Sequence, residues 1–350
     1  MPNDKKNGHL TGITAARCLC FHTFRVKYEK IPGGKCNEEA ERLEAERKAE
    51  AERLERERKE EEHRIAVEKA KKKAKKVFIA IASVACVCAV FLILLKTVII
   101  PQYKLNKATQ LIDSGDYKAA CLLLDGLSYK DSSEKFQSAK QALIKNAKVR
   151  DIVYFGTYEQ DNDTSNGKEN IEWRVLAKEN NRVLVISDKA LDCQPYNSSY
   201  TEEVTWENCS LRKWLNGTFL NKAFSTEEQA QIQNTTVSAD NNPQYSTNPG
   251  NATTDKVFLL SINEVKKYFN SDEARKCAPT AYAKAQGAST NDTCKTPSGA
   301  ATCCWWLRSP GDTRSSAVSV SNVGSVISYG CHVHYVDRSV RPAMWISIDG

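Results

Sequence analysis

The side chains best suited to chemistry gather near the C-terminal end of the 350-residue chain: Cys303-Cys304, Cys331, His332, His334 and Asp337. On a strand, His332 and His334 turn both rings to one side. With Cys331 or Asp337 they approach a metal set, but two ligands on one strand fall short of the three or four that zinc takes. Far upstream, CLCFH (18–22) and Cys36 offer four zinc-type ligands. Their C-x-C spacing is not the usual C-x₂₋₄-C of structural sites, so they read as reduced cysteines in a flexible tail. The chain shows no Ser-His-Asp order, P-loop or H-E-x-x-H. Paired acids such as Glu202-Glu203 sit in a polar loop and read as solvated. No metal and no cofactor is expected, and the chain reads as a binding protein rather than an enzyme.

Two arginines follow apolar runs and precede prolines: Arg308 with Pro310 and Arg341 with Pro342. Their guanidinium groups are expected to pair with carboxylates or strand-end carbonyls, with Trp305 or Trp306 and Trp345 filling a core. Trp305 and Trp306 face opposite sides of a strand, so one is expected inside and the other at a surface. The segment 312–339 between the two Arg-Pro strands is rich in Ser, Gly, Asp and aromatic residues, and recognition concentrates on such loops. The expected contacts are Trp305 or Trp306, Arg314, Tyr329, His332, His334 and Tyr335.

These residues need a scaffold, and residues 150–350 read as an α+β domain. DIVYFGTY (151–158), IEWRVLAK (171–178) and RVLVISDKAL (182–191) read as strands, with a hairpin turn at 179–181. SLRKWLNGTF (210–219) reads as a helix. Ser225 with Glu228, and Ser261 with Glu264, form capping boxes that open two more helices. DKVFLLS (255–261), CWWLRS (304–309), AVSVS (317–321), SVISY (325–329), HVHYV (332–336) and VRPAMWI (340–346) complete the strands.

The runs IEWRVL, TWENCSLRKWLNGTF, DKVFLLSINEV, WWLRSPG and VRPAMWI together resemble a bacterial domain family of uncharacterised function, over about residues 150–348. The resemblance places Trp173, Trp214, Arg308, Pro310, Arg341, Pro342 and Trp345 in its structural motif. The paired W-x-L-R and V-R-P-A strands are similar to those of C-type-lectin-like domains, including the sulfatase-modifying branch. That likeness implies a C-type-lectin-like fold and, as an alternative function, an oxidase using Cys303 or Cys304. Calcium-dependent sugar binding of the lectin kind would need a carboxylate-rich E-P-N or Q-P-D loop. Gln194-Pro195-Tyr196 and Trp206-Glu207-Asn208 do not supply those oxygens.

Ahead of this domain lies VFIAIASVACVCAVFLILL (77–95), 19 residues without a charge. At about 1.5 Å per residue it is long enough for a hydrocarbon core of about 30 Å, and 77–100 reads as a transmembrane helix. Six lysines (69, 71, 72, 73, 75 and 76) crowd its N-terminal side, against Lys96, Lys104 and Lys107 on the other. The positive-inside rule then puts the N-terminus in the cytoplasm and residues from 101 onward outside a cell membrane. The lipid bilayer is one partner and an unidentified extracytoplasmic ligand the other. A structural connector is a further alternative.

Net charge follows the same division, +6 over 1–95, +4 over 96–149 and −3 over 150–350. A nucleic-acid binder carries its basic surplus on a folded face, so no nucleic-acid partner is expected. Eight cysteines fall outside, which permits disulfides without fixing any pairing.

Residues 38–76 read as a charged helix, with Leu43, Leu54 and Ile65 recurring every eleven. That period favours a right-handed supercoil, and a weak homo-oligomer through 38–70 is the partner it allows. The i,i+4 pairs Glu38–Arg42, Glu44–Lys48, Glu52–Arg56, Glu55–Lys59, Glu60–Arg64 and Glu68–Lys72 support the helix. Residues 101–149 read as a helical stalk whose G-D-Y-x-x-A turn resembles a tetratricopeptide hairpin. Ser132 or Ser133 is its third helix cap.

Overall fold

The computed structural model describes residues 35–348. The CLCFH motif lies outside the described residues. Helix α1 runs Lys35–Leu94, a π-helical turn follows at Leu95–Ile99, and α2 spans Ile100–Asp113. Pro101 gives no N–H to the carbonyl four residues back and crowds it. The wider π turn sits where that mismatch falls.

Cα packing divides the chain at Ala89/Val90. In the first unit the helix is exposed along its described length, with Leu43, Leu54 and Ile65 all in solvent. Two of the expected ion pairs form, Glu55–Lys59 at 2.9 Å and Glu68–Lys72 at 2.6 Å. The others are replaced by Arg42–Glu46, Arg53–Glu57, Arg58–Glu62 and Glu61–Arg64. Arg42, Lys48, Arg56 and Arg64 each have a glutamate four residues away on both sides, and the alternatives differ by only tenths of a kcal/mol. One helix is long and apolar enough to cross a membrane, with none of its apolar window buried.

The second unit opens with three helices. After α2, Gly115 adopts φ +83° and Asp116 caps α3 (Tyr117–Leu124) by accepting from the Ala119 N–H. Helix α4 spans Ser132–Asn146. Ser132 is not its cap: Asp131 takes that place, and Ser132 Oγ instead accepts from Tyr129 N and donates to the Leu127 carbonyl, closing the turn before the helix. These helices pack on the following sheet, because Tyr154 joins Ala120, Cys121 and Ala139 in one apolar cluster. Buried Lys140 of α4 lies 3.5 Å from Glu228.

The α+β region holds two larger curled sheets and two two-stranded ladders. The first contains β1 (Ile152–Tyr158), β2 (Glu169–Lys178), β3 (Arg182–Ser187) and, from the far end of the chain, Ala343–Ser347. The expected hairpin closes with Glu179 N donating to the Arg182 carbonyl. After β4 (Asp192–Cys193) come a helical stretch over 210–223 and both capping boxes, each with its two bonds in place. The run 255–261 is not a strand as expected. Only β5 (Thr235–Val237) and β6 (Thr253–Asp255) pair there, and Phe258 makes a single bridge to Ala343. A short ladder joins β7 (Thr290–Lys295) to β8 (Ala301–Cys303).

The second sheet contains β9 (Trp305–Pro310), β10 (Ser316–Val320), β11 (Val326–His332) and β12 (Ser339–Val340), with β4 at its edge. SVISY and HVHYV are not two strands. They share β11 through Gly330 at φ +85°, and His334 falls in the turn beyond. VRPAMWI also divides: Val340 ends β12 in the second sheet, and Ala343 begins β13 (Ala343–Ser347) in the first. Pro342, with no N–H for a ladder, marks the crossing of the chain from one sheet to the other.

Candidate functional site

Trp305 and Trp306 are both wholly buried, which corrects the expectation that one faces solvent. β9 is covered on both faces, so alternation no longer separates inside from outside. Trp305 Nε1 donates to the Arg275 carbonyl and Trp306 Nε1 to the Gln194 carbonyl. Trp173 is buried and donates to the Phe155 carbonyl at 2.7 Å. Trp214 packs on Phe219, and the Arg182 guanidinium lies over the Trp345 ring at 4.2 Å.

Arg308 is buried among acceptors, donating to the Leu259 and Ser238 carbonyls and to the Glu264 carboxylate. Pro310 ends β9, opposite Ala317. Both kinds of partner, carboxylate and backbone carbonyl, therefore meet this one guanidinium.

The remaining expected contacts are exposed, and most come together. His332 and His334 stack at 5.8 Å between centroids, and Tyr335 stands edge-on to both at 5.5 Å. Tyr200, which sequence reasoning missed, sets its ring against His334 at 5.6 Å. It arrives through long-range backbone bonds, Asn197 N to Val333 O and Val204 N to Arg314 O, which no local pattern announces. Arg314 pairs with Glu203 beside them. Tyr329 is exposed on β11 and makes no ring contact with the group among the described residues. Cys331 and Asp337 turn away from the imidazoles to Arg338, which donates to Cys331 Sγ at 3.4 Å and to Asp337 at 2.7 Å.

A second site was not legible beforehand. A cleft of about 470 Å³ opens where 149–150, β2, 268–278 and 296–300 meet the sheet-crossing residue Arg341. Arg341 is only 2% exposed. Its guanidinium lies between two aromatic faces, 5.3 Å from Phe269 and 5.0 Å from Trp305. Nε donates to the Ser187 carbonyl at 2.8 Å and Nη2 to the Asp188 carbonyl at 3.4 Å, while Nη1 is buried without a partner. An orphaned buried donor costs about 1–3 kcal/mol.

Charge in the cleft is unbalanced. Its lining carries Arg150, Arg174, Lys189, Lys276 and Arg341 against Asp188 and Glu273. Arg174 pairs with Asp188 and Lys276 with Glu273, both at 2.6 Å. Among the described residues Arg150, Lys189 and Arg341 form no ion pair. Arg150 also holds a left-handed backbone at φ +82°, fixed by its N–H to the Val175 carbonyl at 2.8 Å. Strain of this kind persists only where the surroundings over-determine it. Leu176, Tyr268, Phe269 and Pro297 supply apolar wall.

Cys277 also lines the cleft, next to the Cys303 backbone, whose N–H donates to the Cys277 carbonyl at 2.9 Å. Burial works to raise the Cys277 thiol. The Cys303 side chain hydrogen-bonded to it and the Arg341 charge outweigh burial and leave it below the ordinary thiol value. Burial, and then Cys277, hold the Cys303 thiol well above its usual range. Burial likewise raises Cys304. A raised thiol is a poor nucleophile and metal ligand at neutral pH.

The two curled sheets with short helices define an α+β domain, and the part of it from β3 onward matches a family model. The family model for a domain of unknown function (DUF6273) matches residues 180–348. No curated protein and no solved structure matches the chain.

Proposed function

We propose that this is a single-pass membrane protein whose α+β domain binds a small organic carboxylate in the Arg341 cleft. The buried guanidinium with one unpartnered nitrogen carries the reading. A carboxylate oxygen at Nη1 would remove the cost of that orphan, and charge-assisted hydrogen bonds of this kind are the strong ones. The volume falls within the usual range for small-molecule sites, about 300–1,000 Å³. The surplus of Arg150 and Lys189 would draw an anion in, and the Phe269 and Tyr268 rings favour an apolar or aromatic body. Lysine asymmetry about residues 77–100 supports a cytoplasmic N-terminus and an extracytoplasmic domain. The first and last strands of the domain share one sheet, which supports a C-type-lectin-like arrangement.

The test is a melting assay on the full chain in non-ionic detergent, with sodium benzoate against sodium chloride and sodium phosphate at equal ionic strength. At ten times its Kd a ligand contributes about 1.4 kcal/mol, which raises Tm by about 3–6 °C for a domain of this size. Lys189→Glu should abolish most of that shift without lowering the ligand-free Tm. A benzoate shift no larger than that of chloride would overturn the reading.

A second surface has its own supporting observation. Tyr200, His332, His334 and Tyr335 form a contiguous exposed ring cluster beside Arg314. Exposed aromatic groups of this kind suit a glycan, cell-wall or protein partner.

A further inference from the structure

Where the loop after β1 returns to the start of β2, three carboxylates gather with no cation to balance them. One oxygen from each of Glu159, Asp161 and Glu169 lies within 4.8 Å of the others. Among the described residues none of the three forms an ion pair. Lys168, adjacent in sequence, gives its ammonium to the Lys222 carbonyl at 2.7 Å instead. Three anions so close repel one another unless something positive lies between them.

Glu159 separates this loop from an ordinary solvated acidic turn. It is 9% exposed, and its Oε1 is buried with no hydrogen-bond partner. A buried carboxylate oxygen without a donor is costly. The sequence does not relieve it with a lysine or arginine, although basic side chains are abundant elsewhere in the chain. Its neighbours are held in place by other bonds. Asp161 accepts from Asp163 N and Asn166 Nδ2, both at 2.8 Å, and Glu169 Oε2 accepts from Gln160 N at 2.6 Å. These use one lone pair per oxygen and leave others for a ligand. Asp163 lies outside the cluster, because its Oδ1 accepts from Ser165 N and Oγ.

We infer that Glu159, Asp161 and Glu169 form a binding site for a divalent cation of the calcium type. Ca–O contacts of about 2.3–2.6 Å span oxygens at this spacing, and calcium accepts carboxylates in irregular loop geometry with water completing the shell. Magnesium, which demands a near-ideal octahedron, fits a loop of this kind less well. Three protein carboxylates place the affinity in the range of extracellular modules, about 10⁻⁴–10⁻³ M. The site stands apart from the cleft, whose lining includes none of the three residues.

The experiment is isothermal titration of calcium chloride into the full chain, purified in non-ionic detergent and stripped with chelator. The wild type should bind about one calcium saturably, with magnesium at least tenfold weaker. Asp161→Asn, at an exposed position, should weaken calcium at least tenfold while its metal-free Tm stays that of the wild type. Glu159→Gln should abolish binding and, by removing a buried charge, leave metal-free Tm equal or higher. No saturable heat up to 10 mM calcium, taken as about ten times the weakest Kd of that range, would overturn the inference. So would Asp161→Asn and Glu159→Gln proteins that titrate like the wild type.

Discussion

Replacing Arg308 by methionine should destabilise the α+β domain by about 3–5 kcal/mol, because it leaves the Leu259 and Ser238 carbonyls without their donor, at about 1–3 kcal/mol each, and takes away the ion partner of Glu264. The guanidinium is 4% exposed and serves four acceptors at once, the Leu259 carbonyl at 2.8 Å, the Ser238 carbonyl and hydroxyl, and the Glu264 carboxylate. Methionine fills much of the same volume, so the loss is polar rather than a cavity. Glu264 is also the third residue of the capping box and accepts from Ser261 N at 2.8 Å. Glu264→Gln keeps an acceptor for that bond and gives up only the charge, so it should cost about 1–2 kcal/mol. In a double-mutant cycle the two changes should couple by about 1–3 kcal/mol. Thermal unfolding of the full chain, followed by tryptophan fluorescence, reads this directly. At about 2–4 °C per kcal/mol, Arg308→Met should lower Tm by about 6–20 °C. A change below about 2 °C, or additive effects of the two substitutions, would refute the reading of Arg308 as the domain's buried anchor.

Three other outcomes follow from the packing. Burial raises the folded-state pKa of Asp192, although Tyr158 OH donates to it at 2.6 Å. A raised carboxylate contributes stability that is complete below its unfolded value of about 3.9 and is lost as pH rises through the folded one. Chemical-denaturation curves across acid pH should therefore show wild-type stability falling relative to Asp192→Asn as pH increases, and an unchanging difference would contradict this. Gly156 has φ +67°, and an added Cβ would lie 2.5 Å from the Phe224 ring and 2.6 Å from the Ala223 carbonyl. Gly156→Ala should cost at least about 2 kcal/mol in such a core, while Gly217→Ala, with open space around it, should be neutral or better by melting. Alanine at Arg314, Tyr329 or Tyr335 should leave Tm within about 2 °C of the wild type, since exposed sites usually change stability by no more than about 0.5 kcal/mol. A larger fall would return those residues to a structural role.

Local signals were legible where a few neighbouring residues decide the outcome. Both capping boxes, the turn at 179–181 and the break at Gly115-Asp116 could be read because each depends on contacts within four residues. Long-range pairing was not. DKVFLLS carries a strand composition, yet its backbone serves other partners: Phe258 bridges Ala343 and the Leu259 carbonyl accepts from Arg308. SVISY and HVHYV read as two strands, and Gly330 between them is a left-handed residue inside one. Pro342 was visible, but not that the chain changes sheets there. The cleft was hidden for the same reason. Its residues come from positions 149 to 341 and share no motif, and the orphaned Arg341 nitrogen emerges only after Phe269, Trp305 and the carbonyls of Ser187 and Asp188 converge on the same side chain.

Calorimetric titration of benzoate into the full chain and its Arg341→Lys variant shows whether Arg341 anchors a carboxylate. Lysine keeps the positive charge but loses the planar fork and the free nitrogen. The wild type should show saturable one-site binding that weakens with added salt, and a variant that still melts cooperatively should bind at least tenfold more weakly. Equal affinity in the two proteins, or no saturable binding to the wild type, would contradict it.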